Sequence, residues 1–212
     1  MTFVPIEDAV AALKEGRFVI VCDDEGRENE GDLVIAAEFA DAKAINFCTI
    51  HGRGLICCAL APEIIDRLEL PFMVPREENH SGFGTPFTIS VEAKEGVTTG
   101  ISAADRARTV EVLIDPNAKP TDLVKPGHMF PLRANADGVL ARTGQTEASV
   151  DLVKLAGLRP GAVICEIMNE DGTMARRDDL LLYSKKHDIP MVTVAALIDY
   201  RQKTEGPAGE AA

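Results

Sequence analysis

A sheet layered with helices, built as one domain, is the architecture this sequence predicts, and three observations predict it. Helical and strand periodicities alternate from one end of the chain to the other. No linker rich in Gly, Ser or Pro separates two halves, and no internal repeat is present. The 212 residues suffice to bury a full core, and 46% hydrophobic with 26% charged residues is an ordinary globular balance.

The first helix is expected from Ile6 to Glu15, after Pro5, with Gly16 closing it. Arg17 to Cys22 reads as a buried strand and Asp32 to Ala37 as a second. Asp41 caps a helix to Ile50, and Gly54 to Leu60 is a strand. A short helix follows from Pro62 to Leu68. Residues 74–84 carry Gly, Pro and charge without periodicity, so a mobile lid is expected there. Thr85 to Ala93 alternates as a strand, and Ser102 opens a helix that runs to about Leu113. His128 to Ala134 and Val139 to Arg142 read as strand pieces, then Thr146 to Ala156 as a helix ending at Gly157. Ala162 to Met168 is a strand, Arg177 to His187 a helix, Met191 to Val194 a strand and Ala195 to Lys203 a last helix. The domain is expected over 1–204, with 205–212 a flexible tail.

Composition narrows the partners. A net charge of −12 and the absence of Trp argue against a nucleic-acid surface, base stacking or an anionic membrane. An anionic substrate would need local arginines, helix N-termini or a metal ion to overcome that field. No apolar run approaches the roughly 20 residues that span a bilayer, and no signal pattern opens the chain, so a cytoplasmic location is expected. The five cysteines are odd in number and form no CxxC, which disfavours zinc, and all but Cys48 lie in strand-like apolar runs, so most are expected to be reduced core residues.

The densest chemical signal is Asp23-Asp24-Glu25-Gly26-Arg27-Glu28-Asn29-Glu30-Gly31-Asp32, directly after a buried strand. Crowded carboxylates repel one another, so a fold keeps them together with a cation or as a solvated face. The position at a strand end, where layered sheets place their sites, favours the cation. Farther on, Arg142-Thr143-Gly144-Gln145-Thr146 opens a helix. Its free N–H groups, dipole end and guanidinium make either a phosphate cradle or, with Thr146 as cap, an ordinary capped turn. Glu95 to Arg106 is a second such turn, able to bind an anion or merely cap a helix.

Of the four histidines, His128 is the best acid/base candidate, because a Pro126-Gly127 turn presents it; a structural histidine is the alternative. His80 lies in the expected lid, and the helix dipole accounts for His187. Glu166, inside the apolar run Val163 to Met168, is either the partner of an arginine or a proton-transfer group of raised pKa.

Taken in series, several segments resemble the 3,4-dihydroxy-2-butanone 4-phosphate synthase family. They are Asp23–Asp32, Gly96–Arg106, Pro126–Arg133, Arg142-x-Gly-x-Thr-Glu-Ala148 and Cys165–Ala175, in order along residues 6 to about 202. The resemblance implies an α+β fold, a layered α/β/α-type sandwich around a mixed sheet. It implies conversion of ribulose 5-phosphate to a four-carbon dihydroxybutanone phosphate plus formate, a step of riboflavin biosynthesis. Mg²⁺, with Mn²⁺ as the alternative ion, would be needed and no organic cofactor, in a homodimer with sites at the subunit interface. Some relatives carry a fused GTP cyclohydrolase II domain; this chain ends first, which implies a stand-alone synthase.

By the same resemblance Glu28 is a metal ligand, and Arg27, Glu28 and Asp32 hold the substrate. Arg142, Thr143, Gly144, Gln145 and Thr146 take its phosphate end, with Thr99 a further contact. His128 and Glu166 are essential for catalysis, Glu166 also touching substrate, and Glu30 and Cys57 are further members. One position departs: the family reads Arg-x-Gly-His-Thr-Glu-Ala, with that histidine a metal ligand, and this sequence has Gln145. A glutamine oxygen suits hard Mg²⁺, yet it neither titrates near neutrality nor offers the same nitrogen. The alternative implied is a weakened or non-catalytic relative that binds a sugar phosphate.

Overall fold

The computed structural model describes residues 3–205. Among the described residues seven strands form one mixed sheet: β1 (Val19–Cys22), β2 (Gly31–Ala36), β3 (Cys57–Leu60), β4 (Val91–Ala93), β5 (Leu123–Arg133), β6 (Gly161–Glu166) and β7 (Met191–Thr193). Their order is β4-β5-β3-β6-β2-β1-β7. The pairs β1/β7 and β3/β5 are parallel and the others antiparallel.

Helices cover both faces, so the inner strands are apolar on both sides. Successive side chains alternate between two cores. Ile20, Leu33, Ile35, Cys58 and Val163 point into one core, with α2 (Ala42–Phe47), α3 (Pro62–Arg67), α4 (Ala103–Ile114) and α6 (Arg177–His187). Val19, Val34, Ala59 and Ile164 point into the other, with α1 (Ile6–Lys14), α5 (Gln145–Leu155) and α7 (Val194–Glu205). The layered sandwich expected from the sequence is the one observed. All five cysteines are buried and reduced.

Several local expectations are corrected. Val139 to Arg142 is no strand: Gly138–Leu140 is a 3₁₀ turn, because the Asp151 carboxylate accepts the Val139 N–H at 2.9 Å that a strand would pair. Of Thr85 to Ala93 only Val91–Ala93 pairs regularly. Pro86 lacks an N–H, and Phe87 and Thr88 make single bridges to Leu132 and Phe72. β5 starts five residues before His128 and runs through Pro126 and Gly127, so His128 stands on a strand and not beside a turn. The helix after Asp41 ends at Phe47 and continues as a five-residue π turn, Cys48–Gly52.

His187 differs from the dipole account. Its ring packs in a cluster with Phe47, His51 and Tyr183. Burial, then the His51, Lys186 and Arg53 charges, lowers its pKa instead of raising it. Of the expected tail, α7 reaches Glu205, and 206–212 lie outside the described residues.

Candidate active site

Strand register brings three chemical side chains to one place. Asp32 on β2 sits directly opposite Glu166 on β6, and Cys57 on β3 opposite Ile164, two residues before Glu166. The period-2 alternation turns all three toward the face that α5 covers. The acidic turn 23–30 leads into Asp32, and the first turn of α5 packs across. Together they line a cleft of about 130 Å³ with Arg27, Glu28, Asp32, Cys57, Arg142, Gln145, Thr146 and Glu166 on its walls.

The acidic turn is held together by hydrogen bonds of its own and by arginines. Asp23, buried, accepts from Arg27 Nη1 at 2.8 Å and from the N–H groups of Glu28 and Glu30 at 3.0 and 2.9 Å. Asn29 takes the left-handed conformation, φ 55°, that folds the chain back. Arg176, at the start of α6, donates to the carbonyls of Glu28 and Asn29 at 2.7 and 2.6 Å. So one carboxylate of the run is an organiser and Glu28 is left for the cleft, paired with Arg27 Nη2 at 2.9 Å. Glu30 faces a neighbouring cavity of about 440 Å³ beside Cys22 and Arg177, outside the cleft wall.

Charge crowding is felt by the remaining acids. Burial, then the Glu166 charge, pushes the Asp32 carboxyl well above the usual carboxylate range. Burial, then Glu28, raises Glu166, although the Leu55 N–H donates to it at 2.8 Å. Gly54 makes that contact possible, since a Cβ there would lie 2.5 Å from Glu166 Oε2. Burial followed by Glu28 raises Glu30. Cys57, pushed up by burial, Glu166 and Asp32, stays a thiol. No arginine pairs with Glu166 among the described residues; its donor is the Leu55 N–H.

The α5 end of the cleft gathers anion-binding groups. The helix begins at Gln145, with Gly144 at the cap position and no side-chain cap; Thr146, expected to cap, is buried inside the first turn. The uncapped amides and positive dipole end are left for a ligand. Any side chain at Gly144 would strike the Arg142 guanidinium. Glu147, fully buried, anchors Arg142 Nη1 at 2.6 Å and the Asn135 N–H at 3.0 Å. Over this end lies the loop expected as a lid. Phe83 stacks on Arg27, 4.9 Å from guanidinium to ring centre, and its carbonyl accepts from Arg142 Nη2 at 3.2 Å. Thr143 is exposed and is not on the cleft wall.

His128 and Thr99, like Glu30 and Thr143, stand outside this cleft. His128 pairs through Nδ1 with Glu92 across β5 and β4, half-exposed. Thr99 lies in the 95–102 turn beside it, whose shape comes from Asp105. That carboxylate accepts from Thr98 N, Thr98 Oγ1 and Gly100 N at 3.1, 2.8 and 3.0 Å. The turn therefore spends two of its N–H groups internally. Asp23, Phe83, Glu92, Asp105 and Glu147 were not singled out from sequence. Glu147 was readable, one residue past Thr146 in the same motif.

Oxygen donors suited to a hard divalent ion are present, but no three His, Cys, Asp or Glu side chains among the described residues converge to cage one. The Glu28 charge raises Glu30, Asp32 and Glu166, with few cations among them, and an added positive charge would relieve that repulsion. Mg²⁺ commonly binds through one or two carboxylates plus water and substrate oxygens, so Glu28 with that open surround fits it. Gln145, the other expected ligand, has its Oε1 engaged by Arg27 Nη1 at 2.9 Å.

Comparison with known proteins follows the same outline. The family model described as 3,4-dihydroxy-2-butanone 4-phosphate synthase matches residues 7–200. A 3,4-dihydroxy-2-butanone 4-phosphate synthase of Cronobacter sakazakii is 50% identical over 206 residues, 97% of this chain and 94% of the relative. One of Neisseria meningitidis serogroup B is 51% identical over 201 residues, 95% of this chain; the chain spans about half, 55%, of that relative's length. A crystal structure of 3,4-dihydroxy-2-butanone 4-phosphate synthase in complex with two magnesium ions superposes with a TM-score of 0.90 at 44% identity, covering 96% of this chain and 99% of that one. Among the described residues no helix is long and apolar enough to cross a membrane.

Proposed function

We propose the function from one premise: the chain belongs to the 3,4-dihydroxy-2-butanone 4-phosphate synthase family. It converts ribulose 5-phosphate to 3,4-dihydroxy-2-butanone 4-phosphate and formate, a carbon–carbon lyase step of riboflavin biosynthesis. The observation that carries this reading is the single cleft that holds Glu28, Asp32 and Glu166 at one end and Arg142 with the α5 N-terminus at the other. Phosphate would sit at the basic end and the reacting carbons among the carboxyls.

Glu28 would hold Mg²⁺, or Mn²⁺, which would supply Lewis acidity to the bound sugar. Arg142 forks onto phosphate oxygens, held in aim by Glu147. Arg27, fixed by Asp23 and Gln145, orients the sugar. Asp32 and Glu166 face each other with raised pKa values, so the pair retains a proton to higher pH than free carboxyls do. One member then takes a proton from carbon while the other gives one to a departing oxygen. Phe83 and its loop exclude water once the sugar is in place.

The cleft is also small. About 130 Å³ is below the roughly 300 Å³ at which small-molecule pockets begin. A homodimer completes it: a second copy brings the half-exposed His128–Glu92 pair and Thr99 to the open side. Ile50, Leu55, Ile101 and Val124, all exposed, supply apolar area for such a contact.

The test is formate release from ribulose 5-phosphate with Mg²⁺, measured against an EDTA control. Formate that disappears with EDTA is expected. No formate from this chain or from its Gln145→His variant means a binding relative and ends the synthase reading.

A further inference from the structure

Gln145 is 95% buried, 5% of it reaching solvent, and it lines the cleft. Its two amide atoms are in opposite states. Oε1 accepts from Arg27 Nη1 at 2.9 Å, whereas Nε2 is buried with no hydrogen-bond partner. Turning the amide over would not help. It would set an NH₂ group against a guanidinium, which has hydrogens only and no lone pair to receive one. The oxygen is therefore committed to Arg27, and what the side chain has left to offer is an N–H.

A cation is poorly served by that arrangement, because the free amide atom is a donor with partial positive charge. An acceptor oxygen is well served. A buried donor without a partner is costly, and a ligand that supplies the acceptor recovers that cost on binding. The same residue has a second, structural duty. Arg27 Nη1 is shared between Asp23 Oδ2 and Gln145 Oε1, Nη2 meets Glu28, and the guanidinium lies on Phe83, so Gln145 is one of four fixtures that set Arg27's plane.

We infer that Gln145 is a substrate-positioning residue and not a metal ligand. Oε1 aims Arg27, and the Nε2 hydrogen is donated to an acceptor oxygen of the bound phosphosugar. Metal affinity in the absence of sugar then rests on the Glu28 side of the cleft. The inference rests on the sugar-phosphate reading above.

The full chain is measured in four forms: wild type, Gln145→Met, Gln145→Glu and Glu28→Gln. Mn²⁺ binding without sugar is followed by electron paramagnetic resonance. Ribulose 5-phosphate affinity is taken by calorimetry in EDTA and as KM with saturating Mg²⁺. Gln145→Met should leave the Mn²⁺ Kd within about twofold, while Glu28→Gln weakens it by roughly 10–100-fold. Sugar affinity should fall about tenfold in Gln145→Met, the worth of one good hydrogen bond, with KM rising more than kcat falls.

Gln145→Glu keeps the shape and the Arg27 contact but replaces the donor with an acceptor. It should lose sugar affinity at least as far, and it answers the question if the Met variant does not fold. A tenfold loss of Mn²⁺ affinity in Gln145→Met overturns the inference. So does wild-type sugar affinity in both Gln145 variants while formate release from wild type stands. If wild type neither binds ribulose 5-phosphate nor releases formate from it, the reaction assignment has failed and takes the inference with it.

Discussion

Asp32 and Asp105 are the same residue type, 5% and 4% exposed, and the fold drives their protons in opposite directions. Asp105 is held below the usual range, first by the Thr98 hydroxyl and then by the N–H groups of Thr98 and Gly100. Asp32 faces Glu166, Glu28 and Glu30 and is pushed up by burial and by their charge. Burial pushes both carboxyls up, and what each meets inside decides the net direction: donors outweigh it at Asp105, while like charges add to it at Asp32. Asp105 stabilises a turn as a satisfied anion. Asp32, buried and crowded by like charges, holds its proton more tightly than an ordinary carboxyl, which suits the proton transfer proposed for it.

The two regions also differ in reach: the Asp32 cleft is closed in on itself, and the His128–Glu92 pair near Asp105's turn looks outward. If both are halves of one site in a pair of copies, damage to either half should stop the reaction. His128→Ala is expected to cut formate release by roughly 10²–10⁴-fold and Glu28→Gln by at least about 10–100-fold, each with an unchanged circular dichroism spectrum. Mixing the two inactive variants should then restore about a quarter of the wild-type rate, because random pairing makes half the dimers mixed and each carries one whole site. Activity that stays at the level of the parents would place His128 outside the reacting site, and the two regions would have to be read apart.

That comparison was only half legible in the sequence. The layered sheet was readable because both faces are covered, so the strands appear as plain apolar runs such as Val19–Cys22 and Gly161–Cys165. The acidic turn and the α5 cradle were visible as charge and glycine spacing. Cross-strand register was not: nothing local in the sequence places Asp32 opposite Glu166, and that register sets the Glu166 charge against the Asp32 carboxyl. Division of labour among like residues was hidden too. Asp23 and Glu28 look equivalent in the run, yet one accepts three hydrogen bonds within the turn and the other faces the cleft. Asp151, twelve residues downstream, turned an expected strand at Val139 into a 3₁₀ turn by taking its N–H.

Exchanging the acid for its amide in each place sharpens the contrast. Asp32→Asn removes a desolvated, like-charge-crowded group and keeps the shape. The metal-free variant should melt about 2–4 °C higher than wild type while formate release collapses, if relief is on the order of 1 kcal/mol. Asp105→Asn puts an amide where one oxygen must accept from two donors and its new NH₂ meets a third. It should melt lower than wild type by a similar interval, about 2–4 °C. Equal shifts of one sign in both variants would mean that the two carboxyls are not in opposite states.

The finest consequence is in the pH dependence of stability. Unfolded Asp and Glu titrate near about 3.9 and 4.3. Asp32, Glu166 and Glu30 all titrate higher in the folded chain, so between each group's unfolded and folded values the folded state binds more protons than the unfolded one. Stability from these groups is then fully present below about pH 4 and is lost as pH rises through their folded pKa values. Asp105, Asp66 and Asp171, all lowered, run the other way: their contribution is present above about pH 4 and is lost as pH falls. The sum over the whole chain mixes the two signs, but the difference between wild type and Asp32→Asn isolates one. In EDTA the melting-temperature advantage of Asp32→Asn should widen from pH 5 to pH 8. Adding Mg²⁺ should narrow it at the upper end, since a bound cation favours the ionised carboxylates that the metal-free fold resists. An advantage that stays flat across that range, or shrinks, would show that Asp32 is already ionised at pH 5 and that the crowding seen in the cleft does not reach its proton.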